Sequence, residues 1–216
     1  MKFAVILSGC GVYDGTEIGE AICTLLALEA SDISWEALAP NYVSNRHVDH
    51  LTQQEISSGV NVLEYSARIV RGQVRDIALA DINDYNAVIV PGGFGAVHNL
   101  CDFARSDMDY TLYPPVEDFL AQAVAKKYPV GFMCIAPMLI PRLYKNACFT
   151  IGNDKELAEK IQQLGCTHQD CRADEIVIDQ QHKIVSTPAR MLAESFTELN
   201  IGISKLVRAV KELALS

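Results

Sequence analysis

The chain has no apolar run of membrane-spanning length, no cluster of basic residues and no C-x-x-C pair. Each absence removes a class of protein. With nothing near the ~20 apolar residues a spanning helix needs, a soluble protein without a membrane partner is expected. The N-terminal apolar run, Phe3 to Leu7, is too short for a secretory signal and reads as a buried strand. With a formal net charge of -9 and no basic cluster to contact phosphates, no nucleic-acid partner is expected. The seven cysteines, Cys10, Cys23, Cys101, Cys134, Cys148, Cys166 and Cys171, make an odd count. That favours reduced thiols in a cytoplasmic compartment over a disulfide framework. Cys166, His168 and Cys171 lie close together, but no second ligand pair follows at a zinc-site spacing, so no metal is expected. The dinucleotide fingerprint is missing too: Gly9, Gly11 and Gly15 give G-x-G-x-x-x-G, one residue too long, and there is no G-K-[ST].

What is present is organised around Pro129-Val130-Gly131-Phe132-Met133-Cys134-Ile135-Ala136-Pro137. This reads as a buried strand that stops at a cysteine and turns into a helix, with Pro137 suited to the first helical turn. Backbone N–H groups point outward at such a junction, and the helix end favours thiolate over thiol. The alternative is a cysteine that packs as a small apolar residue. Strained strand-to-helix turns cluster at functional sites, which keeps both readings open.

With 216 residues, half of them hydrophobic, one domain spanning 1–216 is expected. Lys2–Leu7 reads as a strand, followed by a glycine-rich loop, Ser8–Thr16, and a helix over Glu17–Ala30. Thr16 is its candidate N-cap, and Ile18, Ile22, Leu25 and Leu26 form its apolar face. Ile33–Pro40 reads as a second strand, Asn41–Gly59 as an irregular excursion and Val60–Gly72 as a helix with a glycine stop. Ile77–Ile82 is ambiguous. Asn86–Val90 is an uninterrupted β-branched run, the mark of a central parallel strand, and ends in Pro91-Gly92-Gly93. Glycines there let N–H groups approach a ligand, or simply make a tight turn. Short helices are expected over Ala96–Ala104 and Ala136–Tyr144, and longer ones over Val116–Lys127, Lys155–Gly165 and Met191–Leu213. Ala147–Gly152 reads as a short strand, and Glu175–Asp179 with Lys183–Thr187 as a β-hairpin. The alternation predicts an α/β three-layer sandwich: a mostly parallel, flavodoxin-like sheet, helices on both faces and a late hairpin. Ligands bind such sheets at the carboxyl ends of the strands, where Ser8–Thr16, Pro91–Gly95 and Cys134–Pro137 would converge.

Ser8-Gly9-Cys10-Gly11-Val12-Tyr13-Asp14-Gly15-Thr16-Glu17-Ile18, Pro91-Gly92-Gly93-Phe94-Gly95-Ala96 and Gly131-Phe132-Met133-Cys134-Ile135-Ala136-Pro137 resemble the ElbB proteins, the "enhancing lycopene biosynthesis" or glyoxalase ElbB group. The group belongs to the PfpI-type superfamily on the class I glutamine-amidotransferase-like fold. The resemblance runs from Phe3 to about Val210. It implies a nucleophile elbow at Cys134 and a glutamate beside the sulfur, matched by Glu17. It implies oxyanion or substrate-binding N–H donors at Gly92, Gly93 and Ile135. Many superfamily members carry a histidine directly after the cysteine; Ile135 stands there instead. His98 is a further candidate for the pocket.

The activity implied is that of a glutathione-independent glyoxalase, converting glyoxal to glycolate through a hemithioacetal on Cys134, with no metal or organic cofactor. Glycated adducts are an alternative substrate, and a homodimer is expected. The competing reading is a non-catalytic protein in which Cys134 is a redox-sensing thiol on the same fold, with a regulatory role such as influencing isoprenoid biosynthesis.

Overall fold

Strands that are apolar on both faces fix the centre of this fold. The structure, a computed structural model, describes residues 1–44 and 46–216. Its strands are β1 (Lys2–Ile6), β2 (Ser34–Ala39), β3 (Val43–Ser44), β4 (Val60–Asn61), β5 (Val74–Asp76), β6 (Ala87–Val90), β7 (Val130–Met133), β8 (Cys148–Phe149), β9 (Thr167–His168), β10 (Val177–Asp179) and β11 (Ile184–Thr187). Its α-helices are α1 (Ile18–Ala30), α2 (Val62–Ser66), α3 (Gly95–His98), α4 (Phe103–Ser106), α5 (Pro114–Ala125), α6 (Ile140–Leu143), α7 (Lys155–Gln163) and α8 (Phe196–Leu215). Among the described residues the main sheet has the order β10-β11-β7-β6-β1-β2-β5, with small ribbons β3-β4 and β8-β9 beside it. Every neighbouring pair in the main sheet is parallel except β10–β11, the expected hairpin.

From β1 the chain crosses to β2 on one side, and from β6 it crosses to β7 on the other. Right-handed crossovers then put α1 and α5 on opposite faces, giving three layers. α8 packs against α1 and over β7, where Gly131 lies against Leu206 and Val210. On the α5 side Phe119 meets Tyr85 edge-on, with 5.8 Å between ring centroids. The strand order reverses between β1 and β6, so the crevice at their carboxyl ends is the place where this architecture binds ligands.

Several expected elements take a different form. The Val60–Gly72 helix is a two-residue strand followed by the five-residue α2. The Ala96–Ala104 helix is split into α3 and α4. Residues 136–143 form a 3₁₀ turn, Ala136–Leu139, and the short α6. An edge strand, β5, precedes the ambiguous Ile77–Ile82, which makes 3₁₀ turns. α1 faces the sheet with Ala21, Thr24, Ala27 and Leu28, and Ile18, Ile22 and Leu26 point outward. Asn45, within the expected irregular segment, lies outside the described residues.

Candidate active site

Cys134 sits at the crest of a bend. β7 ends at Met133, Cys134 has φ +58°, and the 3₁₀ turn begins at Ala136. A left-handed conformation costs a non-glycine residue about 1–2 kcal/mol, so the surrounding structure holds it there. Its N–H donates to Thr187 O at 3.1 Å, tying the bend to β11. The N–H groups of Gly93 and Ile135 lie near its sulfur, where they favour the ionised form. Gly92 is equally constrained: a Cβ at that position would lie 2.5 Å from the Cys134 Cβ and 2.9 Å from Glu20 Oε2.

The carboxyl group at the sulfur belongs to Glu20 and not to the expected Glu17. Glu17 is the N-cap of α1, and its Oε2 accepts the Glu20 N–H at 2.6 Å. In a reciprocal capping box the Glu20 side chain would reach back to the Glu17 N–H. Here that N–H is already donated to Gly92 O at 3.0 Å. The Glu20 side chain is thereby free to turn inward, where its Oε2 accepts from Gly92 N at 2.7 Å and its Oε1 from Arg190 N at 3.1 Å. Its carboxyl also lies beside the Cys134 side chain, close enough for each to shift the other's titration. Thr16, the expected cap, instead accepts the Ser8 N–H at 2.7 Å and closes the glycine loop.

The loops that frame the site are stitched together. Phe94 N donates to Val12 O at 2.7 Å and Gly95 N to Gly15 O at 2.9 Å. Asn99 Nδ2 donates to Ser8 O and Asp14 O, each at 2.8 Å, and its Oδ1 accepts from Ser44 Oγ at 2.7 Å. Asn99 and Glu20 are the site residues that sequence reasoning missed. The sequence signal for Glu20 was its place at the third helical position after a capping glutamate.

Burial sets the electrostatics. Glu20 is fully buried; loss of water, then the charge of Glu17, push its carboxyl up to about 7, against the N–H bonds from Arg190 and Gly92. Burial also pushes the Cys134 thiol well above its ordinary range, and the adjacent Glu20 adds to this. The expected ionised thiol is therefore replaced by a protonated one beside a half-titrated carboxyl. The helix that follows is too short and irregular to supply the positive end that was anticipated.

The site opens into a cavity of about 690 Å³ whose lining includes Cys134, Ile135, Gly93, Tyr13, His98 and Arg190. Cys134 is 7% exposed. His98, at the end of α3, stands in the wall of this cavity and is half-buried. Burial, then Arg46 and Arg105, lower its imidazole to about 4, so it is neutral at physiological pH. Among the described residues no group of three or more His, Cys, Asp or Glu is gathered so as to hold a metal ion.

A strained cysteine elbow one strand from the switch point of a parallel three-layer sheet, with a buried glutamate on the first helix, defines a class I glutamine-amidotransferase-like fold. No protein-family model matches the chain. It is 37% identical over 223 residues to the glutamine amidotransferase-like class 1 domain-containing protein 3, mitochondrial, of Homo sapiens, covering 98% of this chain and 83% of that protein. The ES1 protein homolog, mitochondrial, of Rattus norvegicus matches to the same identity, over 98% of this chain and 84% of its own. The crystal structure of an isoprenoid biosynthesis protein with an amidotransferase-like domain from Ehrlichia chaffeensis superposes with a TM-score of 0.91 at 29% identity, over 98% of this chain and 99% of that one. Glyoxalase III of Candida albicans shares the fold, with a TM-score of 0.62 at 11% identity over 97% of each chain. The chain belongs to the family of glutamine amidotransferase-like class 1 proteins that includes the ES1 homologues.

Proposed function

We propose that this protein is a cofactor-independent glyoxalase that converts glyoxal to glycolate on Cys134. The observation that carries the reading is the buried Glu20 carboxyl beside the Cys134 thiol, with the Gly93 and Ile135 N–H groups near the same sulfur. Glu20, as carboxylate, takes the thiol proton while sulfur attacks one aldehyde carbon. The carbonyl electron pair moves to oxygen, where the two N–H groups stabilise the alkoxide. Glu20 returns the proton to that oxygen and leaves a hemithioacetal. Removing the hydrogen of the sulfur-bearing carbon as a proton, and delivering a proton to the neighbouring carbon, converts the adduct to the thioester of glycolate. Water cleaves the thioester and restores the thiol. One carbon is oxidised as the other is reduced, so no external redox partner is needed.

A redox-sensing role requires a stabilised thiolate, and burial together with Glu20 works against one. Early glycation adducts offer the same hemithioacetal chemistry and remain within this proposal. We place the protein in the cytoplasm on the strength of its seven unpaired cysteines. No helix among the described residues is long and apolar enough to cross a membrane. A homodimer is also proposed, supported by the outward stripe Ile18, Ile22 and Leu26 on α1, exposed at 47%, 47% and 56%.

The test is glycolate formation from glyoxal by Cys134→Ser and Glu20→Gln. Each is expected to lose on the order of 10²-fold or more in kcat/KM, the scale of a lost nucleophile or proton carrier. Undiminished turnover by the serine variant eliminates the mechanism.

A further inference from the structure

The catalytic cavity is much larger than a two-carbon dialdehyde requires. Volumes of roughly 300–1,000 Å³ suit ligands of drug size, and this one holds about 690 Å³. Beside it lies a second cleft of about 420 Å³, lined by Tyr42, Ser44, Arg46, Glu55, His98 and Arg105. Arg46 and His98 line both spaces, so the two adjoin.

The charges in that cleft are unevenly spent. Arg46 Nε donates to Tyr13 O at 3.2 Å, and its guanidinium pairs with Glu55. Arg105, in the last turn of α4, has no carboxylate at ion-pair distance and no acceptor for its guanidinium among the described residues. Its charge is felt at both Tyr42 and His98, which places it over the cleft. His98 is kept neutral there, and neither ring nitrogen has a hydrogen-bond partner among the described residues. Tyr42 is fixed by its hydroxyl donating to Asn99 O at 3.0 Å and by stacking on Tyr113. A guanidinium without an ion-pair partner among the described residues, though its charge also reaches Asp102 in the same turn, stands here with an imidazole of spare donor capacity and a rigid aromatic wall, the groups that receive a carboxylate or a phosphate.

We propose that this cleft receives the anionic tail, carboxylate or phosphate ester, of an extended 2-oxoaldehyde whose aldehyde carbon is presented to Cys134. The substrate assignment rests on the aldehyde chemistry proposed for Cys134; the anion site does not. The product would be the 2-hydroxy acid carrying the same tail, formed by the same redox-neutral rearrangement.

Binding is tested first, without catalysis. Inorganic phosphate and acetate are titrated separately into the whole protein while the His98 imidazole, assigned with His98→Asn, is followed by NMR. At least one anion is expected to move the His98 signal and to raise its midpoint by a full pH unit or more. Arg105→Gln should abolish the response and Arg105→Lys should retain part of it. The anion that responds selects the tail, and silence towards both overturns the site. Turnover of 2-oxopropanal is then compared with that of its derivative bearing the selected tail at carbon 3. The parent should favour the charged aldehyde at least tenfold in kcat/KM, Arg105→Gln should remove that preference and Arg105→Lys should restore part of it. An equal ratio in all three overturns the substrate assignment. Loss of all aldehyde turnover in the parent, with the His98 response intact, refutes the glyoxalase reading and upholds the anion site.

Discussion

At neutral pH about half of the Glu20 side chains carry a proton, because burial and the nearby Glu17 lift this carboxyl to about 7. Only the ionised half accepts the proton of Cys134, so kcat/KM for glyoxal should rise with pH through a midpoint near 7 to a plateau above about 8, falling about tenfold per pH unit well below the midpoint. Cys134 and Glu20 are coupled, and the midpoint belongs to the pair. The same displacement bears on stability. The folded carboxyl titrates above its unfolded value of 4.5, so its contribution is fully present below pH 4.5 and is lost as pH rises through 7. A displacement of that size corresponds to about 3 kcal/mol. Urea unfolding of the parent should show a decline on that order between pH 5 and pH 8, and Glu20→Gln should flatten it. The backbone of Cys134 yields a separate expectation. Cys134→Gly relieves the φ of +58° that Cys134→Ala retains, so the glycine variant should be the more stable by about 1 kcal/mol in the same unfolding measurement.

The first turn of α1 assigns different work to two glutamates three positions apart. Glu17 caps, and Glu20 enters the core. Glu17→Ala should cost about 1 kcal/mol of stability as a lost cap. It should also move the acid limb of the rate profile to lower pH, because a charge that raises Glu20 is gone. Gly92→Ala forces a Cβ against Cys134 and Glu20, and should cost at least 1–3 kcal/mol and most of the activity, read by thermal unfolding and glycolate formation. Strands β1, β6 and β7 were legible in the sequence because burial on both faces writes them as unbroken apolar runs. β5 was not, since Val74-Arg75-Asp76 is a half-exposed edge without that signature. The elbow cysteine and its glycines were legible through the turn chemistry that surrounds them. The choice between Glu17 and Glu20 was not, because it turns on whether the Glu17 N–H stays available, and Gly92, far along the chain, takes it. The buried face of α1 departs from the expected one for a related reason. Small residues, Ala21, Thr24 and Ala27, suffice against a crowded sheet and α8, and the larger Ile18, Ile22 and Leu26 are left outside.

At the scale of the molecule, those outward residues make the oligomeric state testable. Light scattering coupled to size exclusion should report a dimer, and Ile22→Glu with Leu26→Glu should shift it towards monomer while the far-ultraviolet dichroism is retained. Charge matters here as well: at a net -9 two copies repel, so association should strengthen as salt screens them. The wider architecture draws its chemistry from segments far apart in sequence. Glu20 receives one hydrogen bond from Gly92 and another from Arg190, 170 positions away. During translation the glutamate leaves the ribosome early, whereas Arg190, one of its two donors, is polymerised near the end. On the reading proposed above, aldehyde turnover should therefore need the C-terminal segment, because a chain ending before Arg190 leaves Glu20 one donor short.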